Sequence, residues 1–227
     1  MGKISFWQKI VSYFREIHIE SAPSDLNPHL YVSLSKGRFM LSTAKAIYSH
    51  GDLYDNFVQT FKRVNWSGLK GRDMLILGYG LGSVPAILKK MGQSFQYTAV
   101  EKDASVIYLA SKYTLSDLRS PVHLYEADCK PYLQQQTDSF SVICMDVFVE
   151  DEIPKTLTTP DFIALLKSHL SSQGVLFVNT IKPKEEQNEP DHLTSFQKQI
   201  QKAFPKGSFI ETGPNAVFVS NSDILTS

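Results

Sequence analysis

Long apolar runs are missing from this sequence. No stretch approaches the roughly 20 residues needed to cross a bilayer, and the basic residues Lys3 and Lys9 are not joined by the apolar core and cleavage site of a secretory signal. Cysteine is scarce as well. Cys129 and Cys144 are the only two, without metal-ligand spacing, a usage that suits a reducing cytoplasm. Charge of one sign is lacking too: 23 Lys and Arg balance 23 Asp and Glu, so a nucleic-acid surface would be without its main source of affinity. Internal repeats and low-complexity tracts are absent. With membrane, nucleic acid and metal set aside, the expectation is a cytoplasmic protein that handles a small molecule. The 227 residues, 42% of them hydrophobic, suffice for one α/β domain with a small appendage.

What is present is organised around residues 74–101, MLILGYGLGSVPAILKKMGQSFQYTAVE. Met74 to Leu77 is a short continuous apolar run, as in a strand buried on both faces. Gly78, Gly80 and Gly82 follow at alternate positions. Val84, Ile87, Leu88 and Met91 then repeat at helical spacing, with Ser83 as the expected cap and Pro85 tolerated in the first turn. A second apolar run ends in Glu101. Glycines allow close backbone approach, a helix start offers free N–H groups, and a carboxylate at the next strand end holds a ribose diol. The plain alternative is a tight turn with no ligand. A dinucleotide fold would place its third glycine at 83, where this chain has Ser83.

The rest of the chain supplies further candidates. Phe6, Ile10, Phe14 and Ile17 share a helical face, expected to pack on the main domain; an aromatic-rich stripe of this kind also fits a contact between two copies. Residues 29–43 alternate about Lys36-Gly37 as a β-hairpin. Tyr48 and Tyr54 follow the hairpin, and the plain reading of Tyr54 is packing with Phe57 and Phe61. Residues 104–113 read as a helix. Two more strands, at 122–127 and 140–145, end in Asp128 and Asp146. Three acids at successive strand ends should converge on one crevice, because open parallel sheets bind ligands beyond their carboxyl ends. Asp128 has a second reading as a helix cap. Glu150, Asp151 and Glu152 form either a solvated loop or a lip that attracts cations. Thr158 or Thr159 caps the next helix at Pro160, and a fifth strand at 175–178 precedes Asn179. A charged loop at 182–191, a helix striped by Leu193, Phe196, Ile200 and Phe204, and a hairpin at 208–220 complete the chain.

From about Leu30 to Asn179, the glycine turn, the acid-tipped strands, the preceding hairpin with its Tyr and the segment LTTPDF resemble the spermidine synthases (polyamine aminopropyltransferases). These lie within the class I S-adenosylmethionine-dependent methyltransferase superfamily. The resemblance implies a Rossmann-like α/β fold with a mostly parallel seven-stranded sheet closed by an antiparallel hairpin. It gives residues 66–227 to that domain and residues 1–65 to an N-terminal helix and β-hairpin extension. It further implies a donor, S-adenosylmethionine or its decarboxylated form, bound by Gly78, Tyr79, Gly80, Gly82, Glu101, Lys102, Asp128, Cys129 and Asp146. The family carries a Tyr after the hairpin, a position for which Tyr48 and Tyr54 compete and which Tyr54 matches better by its distance from the glycine turn, so Asp146 and Tyr54 would be the catalytic pair. The family usually reads GGGDGG at the turn, where this chain has GYGLGS, so Leu81 replaces an acid; Val149 stands where a second acid follows Asp146. Aminopropyl transfer needs that amine-holding charge more than methyl transfer does. The leading expectation is therefore methyl transfer to a small acceptor, an amine being the family's choice. Polyamine aminopropyl transfer and a non-catalytic nucleoside-binding scaffold are the alternatives, with a homodimer as the candidate assembly.

Overall fold

The structure, a computed structural model, describes residues 4–118, 120–150, 152–182 and 192–226. Lys3, Asp151 and the charged loop from 183 to 191 lie outside them. The chain opens with helix α1 (Phe6–Val11) and strands β1 (Ile17–Ala22), β2 (Leu30–Ser35), β3 (Arg38–Ser42) and β4 (Ile47–Ser49). It continues through α2 (Asp55–Phe61), β5 (Asp73–Leu77), α3 (Ser83–Lys90), β6 (Gln96–Glu101), α4 (Ala104–Tyr113), β7 (Val122–Glu126), α5 (Cys129–Gln135) and β8 (Phe140–Met145). The last elements are α6 (Pro160–Ser168), β9 (Leu170–Ile181), α7 (His192–Ala203), β10 (Ser208–Thr212) and β11 (Asn215–Val219).

The first four strands form an antiparallel sheet in the order β1-β2-β3-β4, and the other seven form a second sheet, β10-β11-β9-β8-β5-β6-β7. In the second, β5 to β9 run parallel, and β11 runs against both β9 and β10. This is the expected mostly parallel sheet with an antiparallel finish. Its central strands β5 and β8 are almost entirely apolar because both faces are covered, the exceptions Asp73 and Ser141 bonding to one another. Leu75, Leu77, Ile143 and Met145 pack with Phe162, Leu166, Phe196 and Ile200 on one side. Met74, Ile76, Val142 and Cys144 pack with Phe57, Phe61, Trp66 and Ile87 on the other. Cys144 is thus a core residue. Among the described residues no helix is long and apolar enough to cross a membrane.

The strand order reverses at β5, which lies between β6 and β8, so the loops after β5 and β8 open a crevice where such sheets hold ligands. The hairpin about Lys36-Gly37 forms with positive φ at both residues, 49° and 72°, the backbone that suits a two-residue turn between twisted strands. Thr159 caps α6, accepting from the Phe162 N–H, with Pro160 in the first turn.

Two local expectations are corrected. The N-terminal stripe does not pack on the main domain: α1 ends at Val11, none of its residues is buried, and Ile17 opens β1 instead of continuing a helical face. Ser83 does not cap α3, because the cap position is Gly82. The Ser83 hydroxyl lies 2.7 Å from that of Ser49 and accepts from the His50 N–H at 3.0 Å, tying the glycine turn to the segment after β4. A serine placed to cap a helix is equally suited to bond a neighbouring segment, and here the tertiary contact wins.

Candidate functional site

The end of β5 passes very close to the end of β8. Asp146 donates its N–H to the Leu77 carbonyl at 2.8 Å, and a Cβ at Gly78 would lie 2.2 Å from the Asp146 carbonyl oxygen. Gly78 also has φ +82°, so glycine is required here both for backbone conformation and for space. Gly80 and Gly82 share the left-handed conformation and carry the chain around into α3.

Glu101, at the tip of β6, fastens this loop. Its Oε2 accepts from the backbone N–H groups of Tyr79 and Gly80 at 3.1 and 3.2 Å. Its Oε1 accepts from those of Lys102 and Asp103 at 2.8 and 3.1 Å. Burial pushes the carboxyl's pKa upward, while these backbone donors favour the ionised form. A carboxylate has about four acceptor positions, so a ribose diol reaching Glu101 must share positions that the loop now uses.

Asp146 stands at the tip of β8. Its Oδ1 accepts from Asn179 Nδ2 at 2.8 Å, and Asn179 Oδ1 in turn accepts from Asn215 Nδ2 at 3.0 Å. The buried Tyr54 hydroxyl approaches the same Oδ1 at 3.5 Å. Burial raises the pKa of Asp146 to about 7, against the lowering effect of the Asn179 and Tyr54 bonds, and the nearby Glu101 adds to the rise. Burial and the Asp146 charge push the Tyr54 phenol well above its ordinary value, so it stays a neutral donor.

Glu101, Asp146, Gly78, Gly80 and Tyr54 all line one narrow cleft of about 50 Å³, together with Leu26, Asn27, Tyr48, Asp103 and Phe148. A second, wider groove of about 550 Å³ shares Tyr48, Tyr54 and Phe148 with it and is also lined by Lys45, His50, Asp55, Asn56 and Glu150. Glu150 is ion-paired with Lys45 at this second opening.

The remaining sequence candidates sit elsewhere. Asp128 caps α5, accepting from the Lys130 N–H at 3.1 Å, and pairs with Lys102 Nζ at 2.8 Å. Burial alone would raise its pKa, but these two partners outweigh it and hold the carboxyl below the usual range. Neither Asp128 nor Lys102 lines the cleft. Cys129 is buried in the core beside Leu133, its thiol pushed up by burial. Tyr79 and Gly82 form the far side of the turn, with the Tyr79 ring packed inward so that its hydroxyl would meet a Cβ at Gly82.

Two residues that line the cleft, Asn27 and Asp103, were not anticipated as site residues. Asn27 is a hub: Oδ1 accepts from the Tyr48 hydroxyl at 2.7 Å and the Glu150 N–H at 3.4 Å, and Nδ2 donates to Asp103 Oδ2 at 3.3 Å. Asp103 also caps α4 through the Ser105 N–H at 2.9 Å, a role legible from its place just before the helix at 104. Asn179 was noticed only as a strand-end residue, and its bond to Asp146 depends on β8 lying beside β9.

The chain is similar to known proteins in sequence and in fold. A probable polyamine aminopropyl transferase of Bifidobacterium longum is 31% identical over 105 residues, 46% of this chain and 23% of that protein. A polyamine aminopropyltransferase of Vibrio vulnificus is 30% identical over 127 residues, 53% of this chain and 42% of that protein. The matched stretch therefore spans less than half the length of these curated relatives. A probable spermidine synthase from Corynebacterium glutamicum has the same fold, with a TM-score of 0.69 and 18% identity, covering 90% of this chain and 79% of that one. The sequence profile of the spermine/spermidine synthase domain matches residues 58–216, well over half of the chain, and the chain belongs to that family.

Proposed function

We propose that this protein transfers an aminopropyl group from decarboxylated S-adenosylmethionine to a small amine. The observation that carries the reading is the position of Asp146, which lines the narrow cleft where its hydrogen-bond partner Tyr54 also borders the wider groove. The cleft beside the glycine turn takes the adenosine end of the donor, with Glu101 on the ribose. The groove takes the amine.

An amine attacks only as its free base, so a nearby group must take a proton. Asp146 has that role; Asn179 and Tyr54 fix its Oδ1 and thereby the direction of its free lone pairs. The amine nitrogen bonds to the aminopropyl carbon next to sulfur, the carbon–sulfur bond breaks with its electrons going to sulfur, and methylthioadenosine leaves. Asp55 on the groove wall supplies negative charge that draws an ammonium group, while Glu150 there is paired with Lys45, with which an incoming ammonium would compete. This bears on the expectation of methyl transfer, which rested on Leu81 and Val149 replacing family acids. The groove offers carboxylates from other parts of the chain, and the names of the curated relatives favour aminopropyl transfer.

Small-molecule pockets measure about 300–1,000 Å³, so the donor cleft of about 50 Å³ must widen. Leu26, Asn27 and Tyr48 line it from outside the seven-stranded sheet and are the residues expected to shift. Purified protein supplied with decarboxylated S-adenosylmethionine and a panel of amines should release methylthioadenosine. Turnover confined to intact S-adenosylmethionine, with S-adenosylhomocysteine as product, would overturn the proposal.

Glu101→Gln keeps the side-chain size but replaces one acceptor oxygen with a donor. Hydrogen bonds to charged groups contribute about 1.5–3 kcal/mol. Donor affinity, followed by titration calorimetry, should therefore fall about 10- to 100-fold. Unchanged affinity in a folded variant would move the ribose away from Glu101.

A further inference from the structure

Asp146, the proposed base, is held by two amides that reach it from neighbouring strands. It follows Met145, which lies beside Val178 in the β8–β9 ladder, so Asp146 comes next to Asn179. In the β9–β11 ladder Asn179 faces Val217, and Asn215 is its diagonal neighbour on the same side of the sheet. The side chains join in one direction. Asn215 Nδ2 donates to Asn179 Oδ1 at 3.0 Å, and Asn179 Nδ2 donates to Asp146 Oδ1 at 2.8 Å. Asn179 is 1% exposed and lines neither the cleft nor the groove, whereas Asn215 lies on the groove wall.

A primary amide can turn either end toward a carboxyl group. With Nδ2 forward, Asn179 supports the carboxylate; with Oδ1 forward, it would repel the carboxylate and favour the protonated acid. The Asn179 side chain is buried and is held by these two bonds, so Asn215 decides which end faces forward. A donor on Asn215 turns Oδ1 back toward β11 and leaves Nδ2 for Asp146. The reverse arrangement would set two NH₂ groups against each other. The other titratable groups around Asp146 are Tyr54, Glu101 and Cys144, and none of them hydrogen-bonds to either asparagine among the described residues. Lys45, His50, Asp55 and Glu150 line the groove together with Asn215.

We infer that Asn215 is a positioning residue: by fixing the orientation of the Asn179 amide, it keeps Asp146 in the form that accepts a proton. That Asp146 is the base rests on the proposed transfer reaction; the amide relay itself does not. Asn215→Asp exchanges the donor for an acceptor, so the Asn179 amide should turn over and present Oδ1 to Asp146. Loss of a hydrogen bond to a charged group should then raise the pH at which Asp146 ionises by about one to two units. Asn215→Ala, which only removes the donor, should raise it by less. The shift is read from the carboxyl carbon NMR resonance of Asp146 in aspartate-labelled protein, assigned through Asp146→Asn. The pH at which transfer reaches half its maximum should rise with it. In an Asn179→Ala background, Asn215→Ala should leave the titration of Asp146 unchanged, because the connection is already cut. Circular dichroism checks that each variant is folded, and either single variant decides the question. Single variants that titrate as the wild type does would overturn the inference. So would an equal shift with and without Asn179, since Asn215 would then act on Asp146 directly. A protein that shows the NMR shift yet transfers nothing at any pH would sink the proposed reaction and leave the relay standing.

Discussion

Replacing Asp146 with Asn should lower kcat for the transfer reaction about 100- to 10,000-fold, the usual contribution of a positioned general base, while the donor still binds. An amide keeps the side chain's size and still accepts from Asn179, but it cannot take a proton from the amine. Calorimetric titration with the donor, beside steady-state release of methylthioadenosine, separates the two effects. A kcat within about threefold of wild type would place proton removal on another group. The pH dependence gives a second check. The base works as the carboxylate, so kcat should rise as pH passes through about 7, the value to which burial raises Asp146. Stability should move in the opposite direction. In the unfolded chain the carboxyl titrates near 3.9, so between that pH and about 7 the folded state holds a proton that the unfolded state has released. The resulting stabilisation is complete below pH 4 and is lost as pH rises through 7. Melting temperatures at pH 5 and pH 8 should therefore differ less in Asp146→Asn than in the wild type.

Gly78→Ala is expected to be the most damaging small substitution in the glycine turn. The left-handed backbone at φ +82° costs a non-glycine residue about 1–2 kcal/mol. The added methyl would sit 2.2 Å from the Asp146 carbonyl oxygen and 2.8 Å from its carbon, both backbone atoms that no side-chain rotation can move aside. Overpacking of this kind typically costs another 1–3 kcal/mol. For a chain of this size about 1 kcal/mol shifts the melting temperature by 2–4 °C, so a fall of about 10 °C is expected, with loss of donor binding as the β8 tip is displaced. Gly213→Ala is the matched control: φ is +80°, and nothing lies within 4 Å of a Cβ built there. It should carry the conformational cost alone. Similar losses in the two variants would mean that the loop relaxes and that the close crossing of β5 and β8 is not a constraint.

The parts of the fold that were legible in the sequence are those with local causes. The continuous apolar run at 74–77 and the run at 140–145, apolar but for Ser141, become central strands because each residue faces one of two covered sides. Lys36-Gly37 marks its own turn, and the helix at 104–113 begins immediately after an acid that caps it. Glu101 was readable because it ends the strand next to the glycine turn. Asn27 was not, since its partners Asp103 and Glu150 lie 76 and 123 residues further along the chain. At the N-terminus, Phe14 and Ile17 fit helical spacing, but the bonds from the β2–β3 turn to Ser12 hold the chain where the helix ends, and Ile17 goes to a sheet. The stripe also carried no information about what would cover it. The carboxylates Asp55 and Glu150 line one groove because the fold brings the start of α2 and the segment after β8 together, which the departures at Leu81 and Val149 did not reveal.

The tight crossing of Gly78 and Asp146 leaves the floor of the cleft unable to give way, because either backbone can shift only by dragging the other. Under the proposed function, entry of the donor is expected to depend on the opposite wall, where Asn27 and Tyr48 line the cleft, and its retention on the large parallel sheet. Changes in that wall and in that sheet should therefore tune association rate and residence separately.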